Sequence, residues 1–247
     1  MEFVNALTVS STPGFLLLGF LLGVLHAFEA DHLAALGTLA SGSPRQLILR
    51  GAAWGLGHTM TLVLLSSAVV LFSFVLTDAA AAALEFAVGI MLVLLGADVL
   101  RRARKSGLHV HVHSHGDMGP HIHLHSHAGR TGPHSHDAHD HAHPGGFPFK
   151  AMAIGLVHGA AGSAAIIALA AASAGSAWVA LAYVALVGIG SIVGMAAISA
   201  AISVPILMAP KNLRWLHAGA RLAVAAIAIG FGIFIMAENG ALAMELF

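Results

Sequence analysis

Apolar residues run through this chain in long blocks, and polar residues collect between them. Six blocks stand out, at 14–40, 51–76, 79–100, 151–174, 177–207 and 216–237. Crossing a hydrocarbon core about 30 Å thick takes a helix of about 20 residues, and each block is long enough. A soluble helical protein would need a polar face on each helix, and these blocks mostly lack one. The pattern predicts an all-α polytopic membrane protein with six transmembrane helices.

Composition agrees. The chain is 58% hydrophobic and 9% charged, with mean hydropathy +0.87, whereas a soluble domain carries about 25% charged residues. The first block is too long and too polar at its centre for the core of a signal peptide, so it reads as a span. There is no cysteine, which removes disulfides, thiolate ligands and thiol catalysis together.

Residues 101–149 differ from the rest. They open with RRARK and continue into HVHVHSHGDMGPHIHLHSH and PHSHDAHDHAHPGG, holding thirteen of the 18 histidines. This composition cannot form an apolar core and predicts a mobile loop. All 11 Lys and Arg residues fall after span one, between spans three and four, or near the connection from five to six. With six spans those places share one side, which the positive-inside rule makes cytoplasmic. The expected plan is a bacterial inner-membrane protein with a three-helix unit at 1–100, a cytoplasmic His-rich loop at 101–149 and a second three-helix unit at 150–247, both termini outside.

The two units resemble each other. GVLHAFEADHLAAL matches GLVHGAAGSAAIIAL, setting Gly23 against Gly155, His26 against His158 and Asp31 against Ser163; GLGHTM matches GIGSIV, setting His58 against Ser191. Three spans per unit is an odd number, so the second unit must enter inverted. Inverted three-helix repeats place a transport site at the midplane where they meet.

Ionisable residues inside a membrane span are functional candidates by default. His26, Glu29, Asp31 and His32 lie in span one, His58 and Thr59 in span two, and His158 and Ser163 in span four. No Lys or Arg lies deep in these spans to pair with the carboxylates; a divalent cation would. Imidazole and carboxylate without sulfur suit nickel, cobalt, zinc or divalent copper. His58 and His158, taken singly, read equally well as hydrogen-bond partners between helices. Glu29 reads as a supporting partner, a proton site or a gate. At about 100° per residue, Asp31 lies about 140° and His32 about 120° around the helix from His26. One unbroken helix cannot aim all three at one ion, so a distortion is expected near 27–31, where a broken helix is tolerated if it lines a cavity. Glu85 and Asp98 lie nearer the ends of span three and read as reaching water.

The loop carries an approximate repeat, HVHVHSH then HIHLHSH. In extended chain, alternate residues share a side, so His109, His111, His113 and His115 form one row and His121, His123, His125 and His127 another. A Gly/Pro turn between them permits a hairpin. Neutral imidazole binds transition metals, which makes the loop a metal-collecting segment rather than a selective site.

HAFEADH resembles the H-x4-D-H signature of the nickel/cobalt transporter superfamily. GLGHTMTL resembles the Leu-Gly-His segment of that family's next helix, and GLVHGAAGSAAI looks like its urease-accessory, UreH-like branch. The resemblance implies secondary transport of nickel or cobalt, with His26, Asp31, His32 and His58 as metal-handling residues. A six-span body with a long His-rich loop also resembles the superfamily's exporters. Uptake is the leaning, on the UreH-like match, with proton-coupled export as the alternative. The expected partners are divalent ions and the bilayer, with no cofactor and no nucleic acid; a second copy of the chain or a metallochaperone stays open. An enzyme is not expected, since no H-E-x-x-H helix is present. A sensor or storage protein would leave the intramembrane residues without a purpose.

Overall fold

Lipid gives backbone N–H and C=O groups no partners except one another, so the apolar blocks become helices. The computed structural model describes residues 12–39, 43–105, 109–115, 118–125, 147–161, 174–208 and 214–246. Among them are seven α-helices: α1 (Thr12–His26), α2 (Ala30–Leu39), α3 (Pro44–Phe72), α4 (Asp78–Lys105), α5 (Phe149–Ala160), α6 (Ala177–Met208) and α7 (Arg214–Ala243). Strands β1 (His109–His115) and β2 (Met118–His125) form an antiparallel ribbon between α4 and α5. The membrane body is all-helical, and the period-two His tracts add the ribbon.

Among the described residues, four helices are long and apolar enough to cross a membrane: α3, α4, α6 and α7. The pair α1 and α2, bent by 55°, makes a fifth span if it is counted as one. The expected span at 151–174 is represented by α5, which is apolar but short, while 162–173 lie outside the described residues. Helix α3 begins earlier than its apolar block because Ser43-Pro44-Arg45-Gln46 is a capping box. The Ser43 hydroxyl accepts the Gln46 N–H and the Gln46 side chain accepts the Ser43 N–H, with Pro44 in the first turn.

Helix α3 packs along α5 and α6, α1 along α6, and α4 along α7, while α2 touches α7 and α4. Small residues let these backbones approach. A β-carbon at Gly23 would strike the Val187 carbonyl, and one at Gly155 the Trp54 carbonyl. One at Gly190 would strike the Phe20 carbonyl, and one at Gly57 the Met152 carbonyl. In the register that sets Gly23 against Gly155 and His58 against Ser191, each contact is the counterpart of the other with the halves exchanged. Helices α4 and α7 cross with Gly89 and Gly232 against each other's carbonyls.

These contacts leave backbone, not a yielding side chain, in the way of any added carbon. Overpacking of a filled site costs about 1–3 kcal/mol. Gly155→Ala is therefore expected to lower the thermal unfolding temperature in detergent. Gly175→Ala, where nothing lies within 4 Å, should leave it unchanged; equal behaviour of the two would refute the tight crossing.

Outside the membrane core, Asp98 pairs with Arg101 at 2.8 Å and with Arg102, and Lys150 lies 3.8 Å away. The reading of Asp98 as a span-end residue stands on those partners. The ribbon pairs His109 with His125, His111 with His123 and His113 with His121. His127 lies outside the described residues.

Candidate metal centre

The centre begins with the break in span one. Helix α1 ends at His26, Ala27–Glu29 form a turn, and α2 restarts at Ala30. The Phe28 N–H donates to the Leu25 carbonyl at 2.9 Å and the Glu29 N–H to the His26 carbonyl at 3.1 Å, the tighter three-residue closure that ends an α-helix. The Leu33 N–H then donates to the Glu29 carbonyl at 3.0 Å and the regular ladder resumes. The distortion expected near 27–31 falls here. It brings His26 and His32, which an unbroken helix would hold about 120° apart, to a ring-centroid distance of 4.6 Å.

Four elements deliver the side chains. His26 comes from α1, Asp31 and His32 from α2, His58 from α3 and His158 from α5. The His32 ring lies 5.3 Å from that of His58 and 4.2 Å from that of His158. All four histidines are buried. Asp31 joins two of them: Oδ1 accepts the His32 backbone N–H at 2.8 Å and lies 2.9 Å from His32 Nδ1, and Oδ2 lies 2.9 Å from His158 Nε2.

Two sets of three ligand atoms fall within 4.8 Å of one another, His26–His32–His58 and Asp31–His32–His158. Among the described residues, His32 Nε2, both nitrogens of His58 and His158 Nδ1 have no hydrogen-bond partner. Each buried polar atom left so costs about 1–3 kcal/mol. Neutral imidazole presents a lone pair suited to a transition-metal ion, and among the described residues Asp31 is the one carboxylate inside the cluster, with no Lys or Arg paired to it.

The other candidates separate. Glu29 touches the cluster only through His26 Nδ1, at 2.7 Å, and its side chain is 55% exposed. Thr59 points elsewhere: its hydroxyl donates to the Gly55 and Gly188 carbonyls at 2.7 and 3.0 Å and clasps α3 to α6. Ser163 lies outside the described residues. Ser191, the match of His58, gives its hydroxyl to the Gly23 and Val187 carbonyls, so it holds helices rather than facing the cluster. Trp54 was not anticipated. It is fully buried, with its ring 5.4 Å from both His32 and His158. Its position one helical turn before His58 was the available signal, since residues four apart share a helix face.

Buried groups that could hold a metal ion thus lie inside a multi-span helical body. A match to NicO, described as a high-affinity nickel-transport protein, runs over residues 13–246. The chain belongs to the NicO family. This NicO chain is 32% identical over 228 residues to the urease accessory protein UreH of Bacillus sp. (strain TB-90), a match covering 91% of each. No solved structure matches it. Membership makes this NicO protein a multi-pass membrane protein of metal transport and not an enzyme.

Proposed function

We propose that this protein carries nickel, and cobalt with it, across the bacterial inner membrane into the cytoplasm, through the cluster of His26, Asp31, His32 and His58. The observation that carries the reading is the group of buried imidazole nitrogens without hydrogen bonds, gathered around one carboxylate. A divalent ion satisfies those lone pairs and the charge together. Inward direction is favoured by the likeness to an accessory protein of an enzyme, which calls for supply of an ion rather than disposal.

The reciprocal contacts of α1 with α6 and of α5 with α3 support two three-helix repeats of inverted topology, six spans in all. The basic residues support a cytoplasmic side at Arg45, Arg101 and Lys150. On that side the ribbon receives the ion, its three cross-strand His pairs setting imidazole-bearing positions opposite one another. An inside-negative potential of about 100 mV contributes about 4.6 kcal/mol to a divalent ion moving inward, at about 2.3 per charge.

Radioactive nickel flux in right-side-out and inside-out vesicles tests the direction. The expected result is inward movement that rises with an imposed inside-negative potential. Outward movement that needs a proton gradient would instead make the protein an exporter, with Glu29 beside His26 as the first proton carrier to examine.

A further inference from the structure

The two sets of ligand atoms share one residue, His32. A neutral imidazole has one lone pair for coordination, because its other nitrogen carries the proton. His32 Nδ1 faces Asp31, and Nε2 is the nitrogen without a partner. One ring therefore cannot complete both sets at once unless it is fully deprotonated. We infer that the centre is a one-ion relay: a nickel ion is held first by His26, His32 and His58, then passes to Asp31, His32 and His158, with His32 as the ligand common to both. His158 is thus a ligand of the second position and not only a hydrogen-bond partner of Asp31. This rests on the uptake reading above.

Three observations carry it. His26 and His158 match each other between the halves, and their rings flank His32 at 4.6 and 4.2 Å. The flanking groups then differ, since His58 completes one set and Asp31 the other. Depth also separates them. Span one runs inward in this topology, with His26 at the end of α1 and Asp31 in the first turn of α2, while His58 and His158 lie level, a β-carbon at Gly159 meeting the His58 backbone. An ion moving from the first set to the second moves toward the cytoplasmic side.

Asp31 reaches the two histidines of the second set through different oxygens, Oδ1 at 2.9 Å from His32 Nδ1 and Oδ2 at 2.9 Å from His158 Nε2. Coordination at those two nitrogens would move each ring proton to the far nitrogen, His32 Nε2 and His158 Nδ1. None is gained or lost.

Nickel uptake in vesicles, at varied nickel concentration, separates the two positions. His58→Ala is expected to raise KM at least tenfold, because loading weakens. His158→Ala is expected to cut the maximal rate at least tenfold without raising KM, because the ion loads but does not advance. His158→Gln should behave as His158→Ala: its amide still donates to Asp31 but is no imidazole ligand. Wild-type rates in His158→Gln would overturn the relay, as would identical KM and rate changes in the His58 and His158 variants. Fluorescence of Trp54, left as the sole tryptophan by Trp178→Phe and Trp215→Phe in the otherwise intact chain, reads occupancy independently of flux. Saturable quenching by nickel, weakened at least tenfold in affinity by His32→Ala, is expected. Quenching without flux would remove the uptake reading and keep the centre; flux without quenching would remove the centre and keep the uptake.

Discussion

His32→Ala will reduce nickel flux more than any other histidine substitution in the cluster, by about 100-fold or more. Replacing even an outer partner of a metal ligand costs about 10–100-fold in affinity or activity, and His32 belongs to both ligand sets. Its ring contacts those of His26, His58, His158 and Trp54. No neighbouring donor replaces it, because the others already converge on the same space. Initial rates of radioactive nickel uptake, normalised to protein amount and to folding by circular dichroism, provide the check. Retention of more than about a tenth of the wild-type rate would contradict a shared ligand.

Asp31→Asn should have an effect at least as large, and with an unusual signature. The amide keeps the size of the carboxylate, and its oxygen still accepts the His32 backbone N–H seen at 2.8 Å. What it removes is the negative charge. A unit charge 4 Å from a cation, at an effective dielectric near 20, is worth about 4 kcal/mol, or about a thousandfold in occupancy. Glu29 does not compensate, because it is 55% exposed and reaches only His26. Folding responds differently. The amide nitrogen cannot accept the hydrogen bond that one carboxylate oxygen takes from His32 or His158, a loss of about 1–3 kcal/mol. Flux should therefore collapse while the protein still folds, with a modestly lower unfolding temperature. Loss of the folded state in detergent would assign Asp31 to the fold instead.

Much of this architecture was legible from local pattern. Apolar length marked the four long spans and the bent fifth, and the angular mismatch of His26, Asp31 and His32 marked the break in span one. What escaped depends on contacts between distant parts of the chain. His158 was a candidate by its match to His26, but its partner, a carboxylate 127 residues away at 2.9 Å, was not legible. Trp54 escaped because an aromatic ring in a span faces lipid or protein with equal ease, and only the approach of Gly155 to its carbonyl buries it. Thr59 was a plausible polar neighbour of His58, but adjacent helical residues point about 100° apart, and its hydroxyl found carbonyls instead. The ribbon was foreshadowed by the alternation of histidine with Val, Ile and Leu, although two strands alone are marginally stable.

The bend between α1 and α2 sets a length as well as an angle. At about 1.5 Å per residue the 15 residues of α1 reach about 22 Å and the 10 of α2 about 15 Å. With α1 upright, a second arm tilted by 55° adds only about 9 Å, for a reach of about 31 Å, close to the hydrocarbon thickness of about 30 Å. One straight helix over residues 12–39 would reach about 42 Å and would swing His32 off His26. Acyl-chain length in the surrounding lipid and the alignment of the imidazoles are thus coupled through one hinge, and a bilayer thick enough to pull span one straight would take the ion's ligands apart.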